Sequence, residues 1–388
     1  MSADKKTQIG TGFNRLDAFV RKLKFAAAIA KHNFVPARLP YKAMLLVTWR
    51  CQARCRMCNI WKREPEKEFS LDEWRQFFQC NPYFQWLTLS GGEPFLRGDI
   101  AEIVQLALEF CPKLYCVNMP TNGLSPEIIK KTVTEILALN IPRFILSISM
   151  DGPEQIHDET RGIPGAWQRA VSLHYWAKQI EKKHAGKFSV VLEHTLLPDS
   201  YGRFEEMFRQ IKAKVPDIKT MDIMVTIGAV SKHYYGNTVA NEELRNLADK
   251  YRVLESALRG IIALRRKEAS MKVFYLFPQF FLEMAIQYAR TGIPPLRCRA
   301  ARSSVFIDPC GFVYPCNSYT RPLGSLRDNH YSIEKVFAGN NMGQIRADID
   351  ALKCGGCWTA CEASLSVAEN IFNPLWAWRI IRSGWFFN

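Results

Sequence analysis

Apolar positions in the first part of the chain switch repeatedly between two periods. Short runs of strand length alternate with stretches at helical spacing. The strand candidates are Ala43–Val47, Trp86–Ser90, Tyr115–Met119, Phe144–Met150, Ser189–Thr195 and Met221–Thr226. Between them, Ile100, Ile103, Val104 and Leu108 form one apolar helix face. Helix starts are marked as well. Ser70 with Glu73 and Asp99 with Glu102 fit capping boxes, and Ser125-Pro126 places proline at a first helical position. Strands alternating with helices predict parallel βαβ units, and six of them make a partial barrel. Chemistry in such barrels sits at the C-terminal ends of the strands.

The flanks read differently. Residues 1–10 read as a disordered start. Residues 11–33 carry Phe13, Leu16, Val20, Leu23 and Ala27 at helical spacing, with Arg15, Arg21, Lys22, Lys24 and Lys31 among them. A basic amphipathic helix is expected either at a membrane interface or against the main domain. Residues 241–293 read as a helical bridge ending before Pro294-Pro295, and residues 294–365 as a small cysteine-rich unit. A tail over 366–388 is rich in Trp and Phe with Arg379 and Arg382, which suits a bilayer interface or packing on the barrel. The expected division is therefore 1–41, 42–240, 241–293, 294–365 and 366–388.

Composition changes this picture in two places. Twelve cysteines without a signal-peptide pattern argue for metal ligands in a cytoplasmic protein, not disulfides. A net charge of +15 suggests an anionic partner, either nucleic acid or an anionic membrane. No RNA- or DNA-recognition motif is visible, so no nucleic-acid partner is expected. No apolar run reaches the roughly 18 residues of a transmembrane helix.

The candidate chemistry begins just after the first strand. Cys51, Cys55 and Cys58 are separated by three residues and then two. Three thiolates on one loop can hold three irons of a [4Fe–4S] cluster and leave the fourth iron open to a small molecule. Structural zinc usually takes four ligands, and no fourth Cys or His is nearby. Packed thiols are the other reading, but Arg50, Arg54 and Arg56 make this a poor core segment. One strand later comes Leu87-Thr88-Leu89-Ser90-Gly91-Gly92-Glu93-Pro94. Glycines at a strand end let backbone approach a ligand, and Glu93 could neutralise a ligand ammonium.

Together these two motifs resemble the signatures of the radical S-adenosylmethionine (SAM) enzymes. Met57 stands where that family usually has an aromatic residue. The resemblance implies a partial (β/α)6 TIM-like barrel of α/β class, a SAM-binding [4Fe–4S] cluster on Cys51, Cys55 and Cys58, and SAM as cofactor. It implies reductive cleavage of SAM to a 5′-deoxyadenosyl radical that abstracts a substrate hydrogen, with an electron donor such as flavodoxin or ferredoxin. Gly91, Gly92 and Glu93 match the loop that meets the SAM amino group. Ser147-Ile-Ser149-Met-Asp151-Gly, followed by His157, Asp158 and Arg161-Gly162, looks like a stretch found in many members with extra clusters. It makes Ser149 and Arg161 candidates for the SAM carboxylate or ribose, against turn and capping chemistry for Ser149 and Asp151. Thr121-Asn122-Gly123 reads at least as well as a turn.

Six of the twelve cysteines fall between residues 298 and 361. The run Cys298, Cys310-Gly311-Phe-Val-Tyr-Pro-Cys316, then Cys354-x-x-Cys357-x-x-x-Cys361 resembles the SPASM and twitch extensions, which hold auxiliary iron–sulfur clusters. A full SPASM extension has more trailing cysteines. One auxiliary [4Fe–4S] cluster is expected on Cys298, Cys316 and two of Cys354, Cys357 and Cys361, with zinc as the rival. Cys310, Cys80, Cys111 and Cys116 read as packing. Glu193, His194 and Asp222 are acid–base candidates near strand positions.

The two amphipathic termini and the basic charge favour a lipid or other hydrophobic substrate, handled by a protein peripheral on the inner face of the membrane. A peptide substrate is the alternative, although the roughly 40 residues before the first strand are short for a leader-peptide-binding domain. A small-molecule dehydrogenase is the third reading.

Overall fold

The computed structural model describes residues 15–64, 66–228, 234, 248–268 and 276–370. Its framework is a single nine-stranded sheet with helices packed on its outer face. In chain order the strands are β1 Lys42–Thr48, β2 Trp86–Gly91, β3 Cys116–Thr121, β4 Arg143–Ser149, β5 Phe188–Leu196, β6 Ile223–Ile227, β7 Ser304–Ile307, β8 Phe312–Tyr314 and β9 Gly324–Ser325. The helices are α1 Arg15–His32, α2 Leu71–Cys80, α3 Ile100–Phe110, α4 Pro126–Ala138, α5 Glu154–Arg161, α6 Ala166–Lys183, α7 Phe204–Lys214, α8 Ala248–Glu268, α9 Leu276–Thr291, α10 Ile333–Ala338, α11 Met342–Asp350 and α12 Ala360–Ala368. Strands β1 to β6 pair in sequence order and all parallel, as expected of consecutive βαβ units. The sheet order runs β6-β5-β4-β3-β2-β1-β7-β8-β9, and among the described residues it is not closed. The C-terminal unit joins it edge to edge: β7 pairs parallel with β1, and β8 and β9 continue antiparallel.

Strand alternation sorts the side chains between two environments. Leu45, Leu87, Leu89, Val117, Phe144, Leu146 and Leu192 point outward and are buried against Trp74, Phe77, Ile103, Val133 and other helix residues. Thr88, Ser90, Asn118, Ser147, Ser149, Glu193, Thr195 and Thr226 point the other way and line an interior cavity.

The capping box of Ser70 and Glu73 forms in full. The one expected at Asp99 does not, because Arg97 Nε takes the Asp99 carboxylate at 2.7 Å. Cys111 and Cys116 are buried as expected, whereas Cys80, at the end of α2, is exposed. No described helix is long and apolar enough to cross a membrane. Residues 1–14 and 371–388, with the start of the N-terminal segment and most of the aromatic tail, lie outside the described residues.

Candidate active site

The loop carrying Cys51, Cys55 and Cys58 leaves β1 and is seated on the last turn of α5. Arg54 N–H donates to Arg161 C=O and Arg56 N–H donates to Thr160 C=O, both at 3.0 Å. Gly162 follows with φ +65°, and a Cβ there would lie 2.7 Å from Arg54 O. From the same turn, Arg161 Nη1 reaches Cys55 Sγ at 3.6 Å and Nε donates to Asp151 Oδ2 at 2.6 Å. Asp151 is fully buried, and its N–H donates to His157 Nδ1 at 3.0 Å. Asp158 accepts from the N–H groups of Gly165 and Trp167, which fixes the turn into α6. The stretch from Ser147 to Gly162 is therefore the bed of the cysteine loop.

On its other side the loop rests on the end of β2. Gly92 N–H donates to Thr48 C=O and Glu93 N–H donates to Arg50 C=O, both at 2.8 Å. A Cβ on Gly91 would meet Thr48 O at 2.2 Å, and one on Gly92 would meet Arg50 O at 2.2 Å. These glycines are required by the backbone of the cysteine loop itself, and they also line the cavity.

Glu93 takes a different place. Its carboxylate is buried, accepting from Thr121 Oγ1 at 2.9 Å, Asn122 N–H at 2.8 Å and Phe95 N–H at 3.4 Å. Burial pushes it up to about 7 despite these donors. Glu93 ties the β2 loop to the end of β3, and its side chain is not among the cavity-lining residues. The loop at the end of β3, which reads as a turn in the sequence, reaches the site as well. Asn122 lines the cavity, its Nδ2 lies 3.8 Å from Cys51 Sγ, and Gln52 is within hydrogen-bonding distance.

A cavity of about 430 Å³ connects these parts. Cys51, Cys55, Cys58, Gly91, Gly92, Ser149 and Arg161 line it at the C-terminal ends of the strands. Its wall continues to Lys42 and Trp86 at the strand beginnings, and to Asn317, Thr359 and Cys361 of the C-terminal unit. Glu193 faces it, in register with Ser149 on β4. Burial pushes Glu193 up to about 7, with Arg161 opposing and Asp151 adding to the rise. His194 points away, with Nδ1 2.9 Å from Met150 O, and Asp222 pairs with Lys178 at 3.2 Å. Of the three acid–base candidates, the cavity thus selects Glu193.

Two wall residues escaped the motif reading. Lys42 Nζ sits 4.4 Å above the Trp86 ring and donates to Cys361 C=O. Tyr234 O–H donates to Gly91 C=O at 3.1 Å and lies 3.2 Å from Ser90 Oγ. The only sequence signal for Lys42 is a cation opening an otherwise apolar strand, and for Tyr234 there was none.

The C-terminal cysteines divide by surroundings. Cys298 and Cys316 pack together with Ala300, Ala301 and Ile349. Burial raises the Cys298 and Cys316 thiols, and nearby acidic groups raise them further: Glu362, then Cys357 and Cys354, for Cys298, and Cys357, Glu362 and Cys298 for Cys316. Cys361 instead packs beside Cys51, Cys58, Met44 and Tyr234. Burial pushes it up to about 12, with Lys42 lowering it and Glu193 raising it. Cys310 is buried and donates to Glu66 Oε2 at 3.1 Å.

The donor sets suit clusters. Each thiol of a [4Fe–4S] cluster binds its own iron, whereas zinc draws its ligands onto one ion. Burial pushes Cys51 up to about 12 and Cys58 up to about 11, so loading them as thiolates must release protons.

The radical SAM superfamily model matches residues 45–211, and the SPASM iron–sulfur cluster-binding domain model matches residues 298–358. The AdoMet-dependent heme synthase of Nitratidesulfovibrio vulgaris is 32% identical over 333 residues, covering 80% of this chain and 83% of that protein. The chain belongs to the radical SAM superfamily. Membership implies a [4Fe–4S] cluster and SAM, and the SPASM domain implies auxiliary iron–sulfur clusters. The PqqA peptide cyclase of Rhizobium meliloti is 25% identical, covering 73% of this chain and 69% of that protein. Among solved structures, Streptococcus suis SuiB bound to S-adenosylmethionine aligns with TM-score 0.54 at 17% identity, over 84% of this chain and 71% of that one. That likeness concerns the fold and agrees with the open parallel barrel. The SPASM match stops at residue 358, short of Cys361.

Proposed function

We propose that this radical SAM enzyme acts on a hydrophobic substrate, foremost a lipid, which enters the barrel cavity beside Cys51, Cys55 and Cys58. The reduced cluster and SAM, when bound, supply a 5′-deoxyadenosyl radical that abstracts a substrate hydrogen. The chain's own residues hold and shield that chemistry. Arg161 and the α5 turn seat the cysteine loop, while Gly91, Gly92, Ser149 and Arg161 offer backbone, hydroxyl and guanidinium groups to SAM. Glu93 braces the β2 loop from behind. Glu193, at about 7, is the wall group able to hold or release a proton near neutral pH. We assign the auxiliary cluster to Cys298, Cys316, Cys354 and Cys357, and leave Cys361 as a thiol facing the cavity. A flavodoxin or ferredoxin is the electron donor we expect.

One observation carries the substrate reading. The cavity runs the length of the barrel past Met44, Ile145, Val191 and Met224 to Trp86, which packs on the N-terminal helix through Phe25 at 6.1 Å. A hydrophobic chain lying there would cover these apolar side chains, which alternate along the wall with Thr88, Asn118 and Ser147. A peptide substrate is the second reading, favoured by the likeness to a peptide cyclase. Release of 5′-deoxyadenosine by the reconstituted, reduced enzyme tests both, with lipid and peptide fractions of a host extract supplied separately under anaerobiosis. Stimulation by lipid is expected. Stimulation by peptide alone moves the second reading to first place, and no release with either fraction overturns the site assignment.

A further inference from the structure

We propose that the outer side of α1 docks on an anionic lipid surface. The inference deepens the hydrophobic-substrate reading by naming the surface, but its evidence is α1 itself, and its test needs no turnover.

Among the described residues, helix α1 meets the barrel through Arg21, Phe25 and His32, which share one side. Arg21 Nη1 donates to Leu114 C=O at 3.2 Å, and Phe25 meets Tyr41, Trp86 and Tyr115 with ring centroids 5.5 to 6.4 Å apart. His32 stacks on Tyr41 at 5.4 Å. The other side carries Leu16, Phe19, Val20 and Leu23, which are 70%, 56%, 36% and 52% exposed. Spacings of three and four put them on one stripe, and Phe34 and Val35, just past the helix, are exposed too. A contiguous apolar stripe left open on the surface marks an interaction site.

Charge decides what covers it. From residue 15 to residue 41 the only acid is Asp17, which is spent on Arg21 at 2.8 Å. Lys22, Lys24, Lys31 and Arg38 are exposed. An apolar stripe bordered by cations fits the boundary of acyl chains and anionic headgroups.

The test is sedimentation of the full-length, cluster-loaded enzyme with vesicles of phosphatidylcholine alone or containing phosphatidylglycerol. Binding to the anionic vesicles, weakening with salt, is expected. The triple variant Leu16→Ser, Phe19→Ser, Leu23→Ser, with unchanged iron content and circular dichroism, should lose at least tenfold in affinity. Each of Lys22→Gln, Lys24→Gln and Lys31→Gln should lose roughly fivefold. Equal binding to both vesicle types, no binding, or binding that the triple variant leaves intact overturns the proposal. Tighter binding by the full chain carrying Trp376→Ser and Trp378→Ser would also overturn it, because the aromatic segment would then be what covers the stripe.

Discussion

Arg161 Nη1 lies 3.6 Å from Cys55 Sγ while its Nε holds Asp151 at 2.6 Å, so one guanidinium joins a buried carboxylate to the cysteine loop. Two directed donors on one planar group do this, and a lysine ammonium offers no such fork. Arg161→Ala strands the Asp151 charge in the core, which costs about 3–5 kcal/mol. The variant should melt lower and bind less iron at the first site. Arg161→Lys should recover part of the melting temperature but little of the iron. A lysine variant with full iron content would show that the Cys55 contact is incidental.

Gly92→Ala tests the other wall of the loop. Its Cβ would lie 2.2 Å from Arg50 O, a backbone atom, so the cysteine loop itself must move. Circular dichroism should stay near the parent while cluster reconstitution at Cys51, Cys55 and Cys58 fails. Gly98→Ala is the control, since its Cβ meets nothing within 4 Å. Equal cluster loading in the two variants would contradict the packing argument.

The strands were legible because both of their faces are patterned: one apolar face covered by helices, one of small polar residues around the cavity. The cysteine triplet and the glycines were legible because their chemistry is local. Long-range partners were not. That Glu93 points at Thr121 and Asn122, 28 and 29 positions on, follows from how β2 and β3 end side by side, which no local pattern encodes. Asp99 offered a capping pattern, but Arg97 two residues away competed for its carboxylate and won. On α1 the periodicity named Leu16, Val20 and Leu23 of the apolar stripe but not Phe19, with Phe13 outside the described residues, and could not say which side faces the barrel. The aromatic partners of Phe25 and His32 decided that, and the stripe was left outside.

The auxiliary site makes a prediction cysteine by cysteine. The SPASM match takes in Cys298, Cys316, Cys354 and Cys357 and stops short of Cys361, which packs beside the first site. Cys357→Ala should cost the iron and sulfide of one cluster. Cys361→Ala should retain the full complement, and Cys361 should be the thiol of the cavity open to alkylation in the loaded enzyme. Loss of one cluster's iron in Cys361→Ala would place it among the ligands.

Glu193 gives the fold a pH dependence whose sign follows from its position. Its carboxyl is held at about 7, above the ordinary glutamate value, chiefly by burial. The folded chain therefore keeps a proton that the unfolded chain gives up, and stability falls as pH rises from about 4.5 to about 7. Glu193→Gln removes that contribution. In metal-free protein the variant should gain on the parent between about pH 5 and pH 8 by at most roughly 3 kcal/mol, and by less to the extent that the cavity wets the carboxyl. Some slope should survive in the variant, because Glu93 is raised to about 7 as well. Urea midpoints of parent and variant across this range check it: parallel curves would mean that Glu193 titrates as an ordinary surface carboxylate, and its place as the proton-holding group of the cavity wall would fall with them.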